Sequence, residues 1–405
     1  MSQIILPAVW LILFLVGLPQ LSETVYTPAL PEIALALNVA QSLVEYTLTI
    51  YLFGFALGTL FWGRLSDRFG RKPCILAGLF IFMVGCIGCY CAGSINWLLS
   101  SRFIQAFGGS IGSVLGQAVC RDSFHGPALG KVYAAIASAL AIYPAVGPVI
   151  GGVISEHFGW PSIFLLLIVF AILLSVTVSV LLPETHHADN RQAVQIKKVI
   201  ACLLRDKRVI GLGLIVGGCN GLSFSYYAEG SFYLIKLLGL SPSQYGLGFI
   251  PIALSTVSGG LLSRKLHGKF TSQKIMDCGL LIILAGSGVF SALILLSNLV
   301  TFSNTMLIIT TIGTQMIMMF GVCMATSNAL AVALVDYKWC VGTASSLFGF
   351  FYYCIVSLLT LGMGLLHNGT LLPMPLYFLA ISGFMVLVSK KLGSVAMSTI
   401  LAKPG

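Results

Sequence analysis

Gly63-Arg64-Leu65-Ser66-Asp67-Arg68-Phe69-Gly70-Arg71-Lys72-Pro73 is a compact polar loop set between two apolar runs, 41–63 and 73–93. Its glycines permit positive φ and close helix approach. Its acid, Asp67, suits pairing with the neighbouring arginines or accepting hydrogen bonds at a helix N-terminus. A loop needing only positive charge would explain Arg64, Arg68, Arg71 and Lys72, but it would not require Asp67 or the glycines.

Outward from this loop the chain is apolar. Of its 405 residues, 58% are hydrophobic and 8% charged, against roughly 25% charged in a soluble domain. Such a chain lacks the residues for a water-facing surface. Apolar runs near 20 residues span a hydrocarbon core of ~30 Å as helices. Twelve are present: 4–30, 41–63, 73–93, 96–119, 129–154, 161–182, 209–235, 243–264, 275–297, 304–334, 342–366 and 372–391. A barrel would alternate polar and apolar residues, and Ile163–Leu182 does not. The expected fold class is all-α integral membrane, with twelve transmembrane helices in two six-helix bundles.

Basic residues collect in cytoplasmic loops, and twenty of the 22 Lys and Arg fall on one side of the twelve-run plan. They follow the second run, flank the fourth and fifth (Arg121, Lys131), and fill the middle loop (Arg191, Lys197, Lys198, Arg205, Lys207, Arg208). They also follow the eighth run (Arg264, Lys265, Lys269, Lys274), separate the tenth from the eleventh (Lys338), and close the chain (Lys390, Lys391, Lys403). Arg102 and Lys236 are the exceptions. Both termini are expected in the cytoplasm. The net charge of +10 is then a matter of topology, and nucleic acid is not expected as a partner. The first run has no basic leader, so no cleavable signal peptide is expected. The eleven cysteines lie almost wholly within apolar runs. Cys86, Cys89 and Cys91 read as small packing residues, not as a metal or redox site. His186-His187 are too isolated for a metal site. No cofactor motif is present.

The polar stretch 183–208, with a surface helix expected over Gln192–Leu204, separates an N-terminal bundle (1–182) from a C-terminal one (209–405). The halves echo each other. Glu23 is answered by Glu229, Leu37-Asn38-Val39-Ala40-Gln41 by Leu240-Ser241-Pro242-Ser243-Gln244, and Arg64 by Arg264. Two parallel repeats with a site between them describe an alternating-access transporter.

The Gly63–Pro73 loop resembles the G-x-L-[SA]-D-R-x-G-R-[KR] signature of the major facilitator superfamily. Arg102-Phe103-Ile104-Gln105-Ala106-Phe107-Gly108 is similar to the family's R-x-x-Q-G-x-G signature, with Ala106 at the first glycine. Gly147-Pro148-Val149-Ile150-Gly151-Gly152 resembles the antiporter signature of drug exporters. Tyr26-Thr27-Pro28-Ala29-Leu30-Pro31, Cys120-Arg121-Asp122 and Leu240-Ser241-Pro242-Ser243-Gln244-Tyr245-Gly246 resemble the Bcr/CflA branch of bicyclomycin and multidrug efflux proteins. The resemblance covers the whole chain. It implies drug:proton antiport across a bacterial inner membrane, with small molecules, protons and lipid as partners and a functional monomer. It also implies conformational roles for Gly63, Arg64, Asp67, Arg68, Gly70, Arg71, Lys72, Asp122, Pro144, Gly147, Pro148, Gly151 and Gly152. One position departs from the branch. Its usual aspartate, two residues before the tyrosine, is Thr24 here, and the acid stands one residue earlier at Glu23. That step turns the carboxylate by ~100°.

Among the twelve acids, Asp67, Asp122, Glu184, Asp189, Asp206, Asp277 and Asp336 fall at cytoplasmic loops. Glu32, Glu45 and Glu156 are expected near the outer face. Glu23 and Glu229 are embedded, and embedded charges mark cavities or pathways. Glu23 is the expected proton carrier, with Arg102 as a structural partner or a switchable one. Glu229 is expected to bind substrate or cation, or else to sit at the outer edge. Family analogy has the first, fourth, seventh and tenth helices line the cavity. Tyr26, Gln117, Asn220, Tyr226, Tyr227, Gln315 and Asn328 are candidates there, with Tyr46, Tyr51 and Tyr143 on neighbouring helices; each alternatively reads as an interhelical hydrogen bonder. No nucleophile or nucleotide motif appears, so an enzyme is not expected. A dedicated exporter of a metabolite or siderophore, or a proton-linked importer, remains open at this stage.

Overall fold

The structure, a computed structural model, describes residues 6–185 and 196–401. His186, His187, Asp189, Arg191, the first residues of the surface helix expected from Gln192, and Lys403 lie outside the described residues, as does the side chain of Lys338.

Twelve helices are long and apolar enough to cross a membrane. They are α1 (Val9–Ala36), α2 (Gln41–Phe69), α3 (Arg71–Tyr90), α4 (Ile95–Ser123), α5 (Gly126–Phe158), α6 (Pro161–Leu181), α7 (Lys207–Leu237), α8 (Pro242–Leu266), α9 (Ser272–Ser297), α10 (Asn304–Tyr337), α11 (Gly342–Leu366) and α12 (Pro373–Leu392). Every apolar run read from the sequence becomes one of them. Several helices, such as α2 and α5, overrun their apolar stretches by a turn or so, because helical hydrogen bonds continue into polar sequence at the membrane surface. A short amphipathic helix, Ile196–Arg205, precedes α7.

Local chemistry sets the breaks. In α1 the regular helix Val9–Thr24 gives way to a 3₁₀ turn, Thr27–Ala29, before Leu30–Ala36. Pro28 and Pro31 lack the amides that a continuous helix needs, and Thr27 Oγ1 donates to the Thr24 carbonyl (3.0 Å). In α7 the last turn, Phe232–Leu237, is π-helical.

The described chain divides into two compact units. One comprises Met1–Val194 with Leu240–Ile250; the other comprises Gln195–Gly239 with Pro251–Gly405. In the first, α4 packs on α1, α2 and α3, α5 on α1, α6 on α3, and the first turns of α8 on α5. In the second, α7 packs on α10, α11 and α12, and α9 on α10 and α12. Polar side chains within these packings are stitched across helices. Trp62 Nε1 donates to the Phe107 carbonyl (2.7 Å), Ser287 and Ser382 hydroxyls meet at 2.8 Å, and Ser291 donates to the Pro375 carbonyl (3.0 Å).

Small residues let the backbones meet where lipid supplies no other attraction. A methyl added to Gly151 would land on the Val25 carbonyl of α1, and one on Gly147 would strike Thr24. Gly151→Ala therefore forces α5 off the backbone of α1 and costs about 1–3 kcal/mol, the range for overpacking. Gly130→Ala in the same helix meets nothing within 4 Å. Thermal unfolding of both variants in detergent is expected to show a lowered midpoint for Gly151→Ala alone.

Candidate functional site

In the first unit α1, α2, α3 and α4 enclose a polar cluster. Arg102 on α4 is fully buried. Its guanidinium lies between the rings of Tyr26 (4.4 Å) and Tyr51 (4.3 Å), where the ring faces attract the cation. Arg102 Nη1 donates to Gln105 Oε1 (2.6 Å), and Gln105 Nε2 donates to Cys86 Sγ (3.1 Å). Tyr26 Oη and Thr47 Oγ1 meet at 3.0 Å. Glu23, one turn before Tyr26, is fully buried, and among the described residues neither of its carboxylate oxygens has a hydrogen-bond partner. Arg102 Nε and Nη2 are likewise without hydrogen bonds among them. Glu23 and Arg102 therefore share the enclosure without a hydrogen bond joining them.

Two features of this cluster were hard to read from sequence. Cys86 and Cys89 pack, as expected, but Cys86 also accepts the Gln105 amide proton. Gln105 itself belongs to a motif yet shows its role only through its neighbours. Glu45, expected near the outer face, lies in the first turns of α2 and is completely buried. Its spacing to Leu48 and Leu52, both fully buried, sets it on the protein-facing stripe, a periodic signal available in the sequence.

In the second unit Glu229 on α7 is 1% exposed. Its Oε2 lies 2.8 Å from Nδ1 of His367, which follows α11 directly. The ring of Phe232 stands 5.7 Å from the His367 ring. Sequence reading missed His367 because it lies 138 positions from Glu229, beyond an apolar run with no local pattern.

The other candidates divide by environment. Tyr226 and Gln315 are about 1% exposed, and Gln315 Nε2 has no hydrogen bond among the described residues. The Tyr226 and Tyr227 rings lie edge to face at 6.5 Å. Tyr46 is half-buried and Gln117 exposed. Tyr143 reaches α1, donating to the Leu13 carbonyl (3.3 Å). Asn220 donates back to the Val216 carbonyl of its own helix (2.9 Å). Asn328 donates to Ser263 Oγ of α8 (2.8 Å), the interhelical hydrogen-bonding alternative.

The loop of Gly63–Pro73 forms a network at one end of the first unit. Arg71 Nη1 contacts Asp67 (2.6 Å) and Ser66 Oγ (2.7 Å), and Arg71 Nε contacts Asp122 at the end of α4 (2.9 Å). Glu184, read from sequence merely as a loop acid, caps α3. Its two oxygens accept from the amides of Arg71 (2.8 Å) and Lys72 (3.1 Å). Gly70 is required beside it. Its φ is +99°, and a methyl there would lie 2.6 Å from Glu184 Oε2.

α5 runs unbroken from Gly126 to Phe158 through Pro144 and Pro148. Against it lies the first turn of α8, which is closed by a capping box at Ser241 and Gln244. Methyls on Gly152 and Gly246 would strike the carbonyls of Pro242 and Pro148 respectively, so each strand of the crossing needs a glycine facing the other's proline. Glu156 Oε2 accepts from the Ser243 amide (3.0 Å).

Comparison with known proteins places this geometry. The sequence model of the Major Facilitator Superfamily matches residues 10–361. An uncharacterized transporter of Rickettsia felis is 33% identical, over 89% of this chain and 90% of the relative. A bicyclomycin resistance protein homolog of Haemophilus influenzae is 29% identical, over 82% of each. The xylose transporter XylE of E. coli, in a partially occluded inward-open structure, superposes with a TM-score of 0.74 at 13% identity, over 96% of this chain and 98% of that one; that likeness concerns fold.

Glu184→Ala removes the cap from the N-terminus of α3 and is expected to cost about 0.5–2 kcal/mol, the usual range for a lost helix cap. Glu184→Gln, which keeps an acceptor, is expected to lose less. Thermal unfolding measures the cost, and faster amide exchange at the start of α3 in Glu184→Ala locates it.

Proposed function

The chain belongs to the Major Facilitator Superfamily, a family of membrane transporters and not of enzymes, and on that premise we propose that it exports small organic molecules from the cytoplasm in exchange for protons, by alternating access. The observation that carries this reading is the Glu23 carboxyl. It is fully enclosed, has no hydrogen bond among the described residues, and shares its enclosure with an arginine held by two tyrosine rings. A carboxyl in such surroundings holds charge at high cost unless a cation or a proton accompanies it. That is the property of a group that carries a proton through the cycle.

In this reading Glu23 is the proton carrier and Arg102 the group that senses its charge. Glu229, with His367 beside it, contributes to substrate or cation binding. Tyr26, Tyr46, Gln117, Tyr143, Asn220, Tyr226 and Gln315 supply the aromatic and polar surface on which flat or cationic molecules are held. Asn328 serves the packing of α10 on α8. The bundles 1–182 and 209–405, joined by 183–208, are the moving halves. The Arg71–Asp67–Asp122 network and the Pro144–Gly152 stretch govern their movement. The protein works as a monomer in the bacterial inner membrane, with both termini in the cytoplasm and no nucleic-acid partner. The drug-exporter motifs and the Haemophilus influenzae relative support the direction. The shift of the acid from position 24 to Glu23 favours, as a second reading, a narrower substrate such as an endogenous metabolite or a siderophore.

Glu23→Gln keeps the size of the side chain and removes its proton exchange. In proteoliposomes with an imposed pH gradient, wild-type protein is expected to move one or more members of a panel of antibiotics and siderophores, with matching proton release. Glu23→Gln is expected to retain substrate binding and lose gradient-driven transport. Full antiport by that variant overturns the assignment.

A further inference from the structure

The amphipathic helix Ile196–Arg205 presents an apolar face wider than the protein covers. Successive residues turn by ~100°. Val199 and Leu203 share one arc and are buried at 0% and 8% exposure. The next arc holds Ile200 and Leu204, which stay 38% and 65% exposed. Beyond them come Lys197 and then Arg205 and Lys198, all exposed. The wheel thus runs from a buried apolar arc, through an uncovered apolar arc, to a basic arc.

The helix is held in this rotation. Tyr337 Oη lies 3.4 Å from the Cys202 carbonyl and 3.1 Å from Asp206 Oδ2. Asp206, the single residue between this helix and α7, caps α7 by accepting from the amides of Arg208 (3.0 Å) and Val209 (3.3 Å). Arg208 is bound to Asp336 (3.0 Å) and the Val332 carbonyl (2.9 Å). Both nearby acids are therefore engaged with the helix end and with Arg208, on the protein side. The helix also passes directly into a membrane-crossing helix, which keeps it at the membrane surface.

We infer that this flank is a docking surface for anionic phospholipid, with Ile200 and Leu204 seated among the acyl chains and Lys197, Lys198, Arg205 and Lys207 on the phosphate headgroups. Apolar residues bordered by lysines and arginines are the composition of interfacial helices. Each basic residue beside an anionic leaflet strengthens binding about fivefold. A zwitterionic surface would receive the two apolar side chains and leave the basic arc without its complement. The inference concerns lipid alone and stands whether or not the proposed export reaction is correct.

The test uses the full chain in nanodiscs of phosphatidylcholine, with and without added phosphatidylglycerol. It reads amide exchange over residues 197–205 and phosphatidylglycerol adducts retained in native mass spectrometry. Wild-type protein is expected to exchange more slowly in this helix when phosphatidylglycerol is present and to retain its adducts. The combination Lys197→Gln, Lys198→Gln, Arg205→Gln is expected to lose both effects, with retention lowered on the order of 100-fold by the per-charge figure. The charge-keeping set Lys197→Arg, Lys198→Arg, Arg205→Lys is expected to keep both, which separates loss of charge from loss of folding. Equal protection in the two nanodiscs, or equal adduct retention by the neutral variant, overturns the inference. Protection that appears only when a second protein is added overturns it as well.

Discussion

Water is missing from the hydrocarbon layer, and each polar atom there has to find its partner in the protein. Backbone groups meet this condition by forming helices. Side chains meet it by returning to their own helix, as Asn220 does, or by reaching a neighbour, as Asn328 and Trp62 do. The exceptions are informative because they are costly. Glu23 keeps a buried carboxyl without a hydrogen bond among the described residues, and Arg102 satisfies its charge on two ring faces and one amide oxygen. Among the described residues both oxygens of the Glu23 carboxyl are left without a hydrogen bond, which sets that carboxyl apart from packing.

At the polar end of the same unit the opposite holds. Arg71 reaches Asp67, Ser66 and Asp122, while Glu184 closes the amides beneath it. The arrangement joins the ends of α2, α4 and α6 to the first turn of α3. One residue of positive φ, Gly70, makes room for it. Ion pairs and hydrogen bonds are concentrated at this end, whereas inside the unit Glu23 and Arg102 share an enclosure without a hydrogen bond between them.

The fold was legible because lipid imposes a simple rule on composition. Runs such as Ile163–Leu182 have no other stable reading, and each of the twelve became a helix. The loop signature was legible because Asp67 and Gly70 answer local needs. The site was legible only in part. Glu23 and Glu229 stand out as acids in apolar sequence. His367 does not, because its partner is 138 positions away. Glu184 looked like any loop acid, since a cap depends on where the chain returns and not on the residues beside it. The burial of Glu45 was legible in its spacing to Leu48 and Leu52, which sets it on the covered face of α2.

Leu240–Ile250 clusters with the unit formed by the first half of the chain, although the residues on both sides of it belong to the other unit. Its first turn, capped by Ser241, rests on α5 through paired glycines. Gene fragments cut at the middle loop would therefore separate the first unit from a piece of its own packing. The chain is one polypeptide in more than the genetic sense: synthesis of the first unit ends only after ribosomes have passed well into the second half.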